Sequence, residues 1–141
     1  MTQPGEPTDD ALQPLAALIS RQASDVEVYA GFLYSTLAES MPAGMVQIER
    51  KTSMSDRLRG REGTVVGTSL RLGEQRFILQ RKAIGAPSQA MIAHEVGGIV
   101  LSRTEVSLAD WSQALTRALA QLAQHNAGLA HTLQRLSGFT V

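Results

Sequence analysis

Two apolar runs joined through a glycine constrain this chain more than any other feature. Residues 63–84 read as strand, turn, strand, with Leu70 to Leu72 before Gly73-Glu74 and Phe77 to Leu79 after it. Glycine at the first central position suits a type II′ turn, whose twist matches that of the strands it joins. A two-residue turn also fixes the register, because each residue faces the one equally far beyond the turn. Leu70 then faces Phe77, Thr68 faces Leu79 and Val66 faces Arg81 on the core side. The other side pairs Ser69 with Ile78, Gly67 with Gln80, Val65 with Lys82, and Arg71 with Arg76. Like charges directly opposite destabilise a sheet. Arg71 and Arg76 therefore require a neighbouring acid, a bound anion, or an escape of both side chains into water.

The rest of the chain is read around this hairpin. Met45 to Lys51 alternates Val46 and Ile48 with polar residues, as a half-buried strand does. Thr52 to Gly63 is polar and charged and reads as a loop. Met91 to Glu95 and Gly98 to Arg103 read as two further strands, or as one strand kinked at Gly97-Gly98. Ahead of the strands, residues 1–8 carry Pro4, Gly5 and Pro7 and read as a flexible tail. A helix starts near Asp9, with Leu12, Leu15, Leu18 and Ile19 on its apolar side. A second run begins at Ser24, with Glu27 three residues on in capping-box spacing. Val26, Tyr29, Phe32, Leu33 and Leu37 recur there at helical intervals, and Pro42 and Gly44 end the run. The expected architecture is α+β, with residues 9–141 as a single domain. N-terminal helices precede a four- or five-stranded, mainly antiparallel meander sheet, and a long C-terminal helix packs on one face.

That last helix carries the densest leucine pattern in the sequence. Ser107 is a suitable N-cap, and Asp110 lies where it favours both the cap and the helix dipole. Leu115, Leu119, Leu122, Asn126, Leu129, Leu133 and Leu136 follow at coiled-coil intervals, with one amide inside the seam. Gly138 is a natural stop. An unbroken helix from Ser107 to Ser137 spans about 45 Å, more than a small sheet covers. Part of the stripe then seeks another helix, from this chain or a second copy. The competing expectation is a break at Asn126-Ala127-Gly128, with both pieces folding back onto the core.

Charge adds a second candidate surface. Net charge is zero, but residues 1–48 carry six acids against one base, and residues 49–82 carry nine bases against four acids. An acidic helix lying near the basic strands accounts for this. So does a basic surface for an anionic partner or nucleic acid, with Arg57, Arg59, Arg61, Arg71, Arg76 and Lys82 as its members. The basic segment lacks interleaved aromatics for stacking bases.

Chemical signals are sparse. There is no cysteine, which excludes disulfides, thiolate metal sites and cysteine nucleophiles. His94, His125 and His131 fit no metal-ligand spacing, and no nucleophile elbow, dinucleotide fingerprint or phosphate loop is present. The sequence thus names no cofactor, no metal and no catalytic residue. General acid–base work by His94, Glu95 or Glu49 would require the fold to gather them. No apolar run approaches the roughly 18 residues of a membrane span, and the first ten residues lack a signal-peptide pattern, so a cytoplasmic protein is expected.

Two stretches, Glu39 to Lys51 and Val96 to Leu136, resemble segments of small uncharacterised actinobacterial proteins. The resemblance implies a bacterial, cytosolic origin and transfers no functional residue. The leading expectation is a non-catalytic intracellular interaction module, homodimeric through the C-terminal helix or bound to another protein, with a secretion-chaperone-like shape as a fold analogy. The alternatives are an anion- or nucleic-acid-binding domain using residues 50–82, and a small enzyme with its site near His94 and Glu95.

Overall fold

A computed structural model describes residues 9–42, 44–60, 63–83 and 85–137. The N-terminal tail, Arg61 and the Gly138 stop lie outside the described residues. The elements run α1 (Asp9–Ala23), α2 (Val26–Phe32), β1 (Val46–Lys51), α3 (Met54–Leu58), β2 (Thr64–Leu72), β3 (Gln75–Gln80), β4 (Gln89–Val96), β5 (Ile99–Val106), α4 (Leu108–Ala123) and α5 (Ala127–Ser137). A π-turn over Leu33–Leu37 and a 3₁₀ turn over Ala38–Ser40 extend α2. The strands form one antiparallel sheet in the order β1-β2-β3-β4-β5. The α+β meander with helices at both ends is therefore the observed fold.

The hairpin register is the one the turn dictates. Leu70 pairs with Phe77, Thr68 with Leu79 and Arg71 with Arg76. Gly73 has φ 63°, while Glu74 is not among the residues with positive φ, as a type II′ turn requires. The far end differs. Glu49 pairs with Gly67 but Arg50 pairs with Val65, so a bulge leaves Val66 over. The bulge reverses the side-chain alternation. Val65, not Val66, enters the core.

One face of the sheet carries the core. Leu70, Leu72, Phe77, Leu79 and Ala90 meet Leu15, Ile19, Val26, Tyr29, Leu33 and Leu37 from the N-terminal helices and Trp111, Leu115 and Leu119 from α4. Trp111 anchors this contact. Its ring meets Tyr29 and Phe77 edge-on, with centroids 5.4 and 6.4 Å away. Its Nε1–H donates to the Met91 carbonyl at 3.1 Å. The indole thus buries its surface and satisfies its one polar atom, as a core tryptophan must. The Tyr29 hydroxyl is buried with no hydrogen-bond partner among the described residues, and burial pushes its pKa upward.

Two local expectations are corrected, and one left open between two alternatives is decided. Asp25 rather than Ser24 caps α2, accepting from the Glu27 and Val28 amides at 2.9 and 3.3 Å. The Ser24 hydroxyl instead donates back to the Arg21 carbonyl. The segment Thr52 to Gly63 is not wholly loop. Ser53 and Asp56 form a reciprocal capping box that starts α3, the pairing that satisfies two orphan amides at once. Of the two expectations for the C-terminal segment, the break is the one observed: it forms two helices, divided at Gln124–Asn126. Asn126 begins the second one, its side-chain oxygen accepting from the Leu129 amide at 3.0 Å. Its Nδ2 donates to the Ser40 carbonyl at 2.8 Å. A seam asparagine that fixes register between copies is thus, in this fold, a cap and an internal tie.

The break decides the fate of the leucine stripe. Leu115, Leu119, Leu129 and Leu133 are fully buried, and Leu122 and Leu136 are half-buried against the same core. The turn at Gln124–Asn126 lets α5 fold back onto α1 and α4. A single copy shelters these side chains, each worth about 2 kcal/mol of burial. The reason for expecting a second copy along this helix is removed.

Candidate interaction edge

The residues left outside the core gather at the other end of the sheet. β4 and β5 are joined by Gly97-Gly98, with φ 58° and 83°, two left-handed positions in succession that form a type I′ turn. Val96, Ile99, Val100 and Leu101 flank this turn at 41, 65, 47 and 61% exposure. From the sequence, Ile99-Val100-Leu101 reads as part of a strand. The meander order prevents burial, because β5 is the last strand and the chain leaves it directly for α4. Every β5 residue from Ile99 to Glu105 is exposed. One signal pointed here: the final strand of a meander has a neighbour on one side only.

The two edges of the sheet differ. β1 presents Gln47, Glu49, Arg50 and Lys51 and faces a bulge, and charges and bulges are devices that protect an edge. β5 also carries an irregularity: His94 pairs with Ser102 and Glu95 with Val100, so Leu101 is the extra residue. Beyond it, Ser102 to Val106 is regular, pairing without interruption to His94 through Ala90. Arg103 and Glu105 project from one face of that stretch, and among the described residues neither makes an ion pair.

The face of the sheet away from the helices is bare and polar. It holds an open depression of about 660 Å³ bordered by Glu49, Ser69, Arg76, Ile78, Gln80 and Arg103. Here the opposed arginines find their resolution. Arg76 forms a two-pronged pair with Glu95, at 2.7 Å from Nε and 3.1 Å from Nη2, and its Nη1 donates to the Ser69 hydroxyl at 2.7 Å. Arg71 is exposed to water. The hydrogen bond from Arg76 holds the Glu95 carboxyl below the usual carboxylate range, and Glu95 in turn raises Arg76.

Among the described residues, the basic candidates named from the sequence do not gather into one site, although Arg71 and Arg76 are cross-strand partners. Arg57 and Arg59 lie on α3 and at its end, Arg71 at a strand end, and Arg76 is neutralised by Glu95. Lys82 borders a separate open depression of about 670 Å³ with Lys51, Ser53 and Thr64. The buried Arg81 guanidinium bonds the Val65 carbonyl at 3.0 Å and lies 3.7 Å from Glu27 and 4.0 Å from Asp25. This gives part of the charge asymmetry an internal explanation.

His94 and Glu95 are also separated. The imidazole Nε2 lies 3.0 Å from the exposed Glu74 carboxylate, while Glu95 belongs to Arg76. Ser102 stands opposite His94 across the ladder, but among the described residues no hydrogen bond joins the two. Glu74, His94 and Ser102 border an open depression of about 440 Å³, which Glu95 does not line. No group of three or more potential ligands among the described residues could hold a metal ion.

The class these observations define is a two-layer α+β protein with one bare sheet face and one edge strand that exposes apolar residues beside its hairpin turn. No protein-family model, curated protein or solved structure matches the chain. Among the described residues, no helix is long and apolar enough to cross a membrane.

Proposed function

We infer that this chain is a non-catalytic protein-interaction module whose contact surface is the β5 edge and the tip of the β4–β5 hairpin. The observation that carries the reading is the exposure of Val96, Ile99, Val100 and Leu101 beside a strand with no outer neighbour. Such a strand offers a row of unpaired amides and carbonyls, and an added strand satisfies them while covering the apolar side chains. The other exposed large apolar residues lie singly or in pairs: Val28 on α2, Tyr34 in the turn after it, Met54 and Leu58 on α3. Isolated residues of that kind are ordinary on a protein surface. The leucine stripe no longer competes as a contact surface, since the core occupies it. The basic candidates support anion binding less well, because they are dispersed and Arg76 is already paired.

Site-specific photo-cross-linking tests the reading. A photoreactive residue at Leu101 is expected to form a covalent adduct with a polypeptide in cells, while the same residue at Glu49, on the opposite edge, forms much less. Equal yields at the two edges, or no adduct at Leu101, reject the interaction surface.

A further inference from the structure

We propose that the partner of the β5 edge is a second copy of this chain, paired antiparallel through Ser102–Val106 with the two-fold axis at Thr104. The proposal rests on the interaction reading above and names its partner. Two independent observations set the register. The irregularity at Leu101 ends regular pairing, so the flat part of the edge is Ser102–Val106, and Thr104 is its centre. The charges then decide whether that centre is self-complementary. Antiparallel pairing about Thr104 sets Arg103 opposite Glu105 of the partner subunit, and does so twice by symmetry. These side chains share the bare face of the sheet and have no ion pair within one copy. Moving the axis by one residue, to Arg103, sets two arginines against each other, which destabilises a sheet. An axis at Ser102 sets Arg103 against Leu101 and Glu105 against Ile99, leaving both charges unpaired.

With the axis at Thr104 the remaining contacts are compatible. Thr104 meets its own equivalent, a favourable cross-strand pair. Ser102 meets Val106. The apolar residues Ile99 to Leu101 run alongside the segment where the partner's β5 passes into α4. The interface is isologous, as a two-fold dimer requires, and it joins two five-stranded sheets into one continuous sheet.

Charge reversal tests the register. The unmodified protein is expected at twice the 15.1 kDa chain mass by sedimentation equilibrium. Arg103→Glu alone, or Glu105→Arg alone, places like charges opposite at both symmetric positions and weakens association by roughly 10- to 100-fold. Mixing the two variants restores it, because the all-acidic edge of one then faces the all-basic edge of the other. Unchanged circular dichroism checks that each variant is folded. A monomer at the highest soluble concentration overturns the proposal. So does dimerisation of both single variants at unmodified strength, or failure of the mixture to associate. A Leu101 cross-link to a different polypeptide, in a protein that sediments as a monomer, preserves the interaction reading and overturns self-pairing. Absence of any cross-link removes both.

Discussion

Leu115, Leu119, Leu129 and Leu133 on the C-terminal helices are fully buried, whereas Ile99, Val100 and Leu101 on β5 are exposed. Both segments are apolar, and by pattern alone the leucine stripe is the stronger candidate for contact with another molecule. What separates them is topology. Three residues at Gln124–Asn126 turn α5 back onto α1 and α4 and bring its leucines inside. β5 is the last strand among the described residues, and no later element among them returns to cover its outer side. An apolar pattern reports that a surface wants covering. The order of elements decides whether the chain itself can cover it.

The sharpest way to break this contrast is to truncate one residue from each region. Leu129→Ala is expected to cost about 2–5 kcal/mol, the usual range for a fully buried leucine, read as a lowered urea midpoint. A loss near zero would mean that α5 is not docked in solution and that its leucines are available after all. Asn126→Ala comes next. It removes the α5 cap and the tie to Ser40, and a lost cap typically costs about 1–2 kcal/mol. If the helices were instead continuous in solution, alanine there would be neutral or favourable.

The open face supplies a smaller effect with a defined pH signature. Arg76 depresses the Glu95 pKa in the folded state. The stability from this pair is therefore complete above the unfolded value of about 4.3, and it is lost as pH falls through the lower folded value. Glu95→Gln should be less stable at neutral pH and should show a shallower decline on acidification. Parallel stability curves for the two proteins between neutral pH and the acid limb would contradict this account. The smallest effect is expected at β5. Leu101→Ala should change the stability of the isolated copy by no more than about 0.5 kcal/mol, measured at low protein concentration. A cost resembling that at Leu129 would show that the hairpin tip is covered within one molecule.

The sequence was most legible where local chemistry has one solution. Gly73-Glu74 specified both a turn and a pairing, and the register followed from it. Val26, Tyr29, Phe32, Leu33 and Leu37 specified one buried helical side. The errors arose where neighbouring residues offered equivalent choices. Val65 and Val66 are the same residue type in succession, so the pattern cannot say which enters the core, and the bulge opposite Glu49 and Arg50 decides it. Ser24 and Asp25 are both good caps. The α3 capping box was visible as Ser53 and Asp56, but the charge of the surrounding segment obscured it. The arginine opposition was legible as a problem. Its answer was not, because Glu95 reaches Arg76 from the adjacent strand, beyond anything local spacing reports. The exposed apolar residues of β5 were missed for the same kind of reason, since exposure there follows from strand order and not from composition.

The meander order also bears on how the chain acquires its structure. Each strand pairs with the next in sequence, so sheet formation requires only short loops to close, a topology associated with fast folding. The helical layer is different. α1 packs on α4, elements from opposite ends of the described chain, and that closure carries a larger entropic cost. On a ribosome the sheet can zip together strand by strand beside α1 and α2, but the helical layer stays incomplete until α4 emerges and brings Trp111 down onto Tyr29 and Phe77. The nascent chain is therefore most vulnerable to aggregation during the interval between completion of β5 and docking of α4.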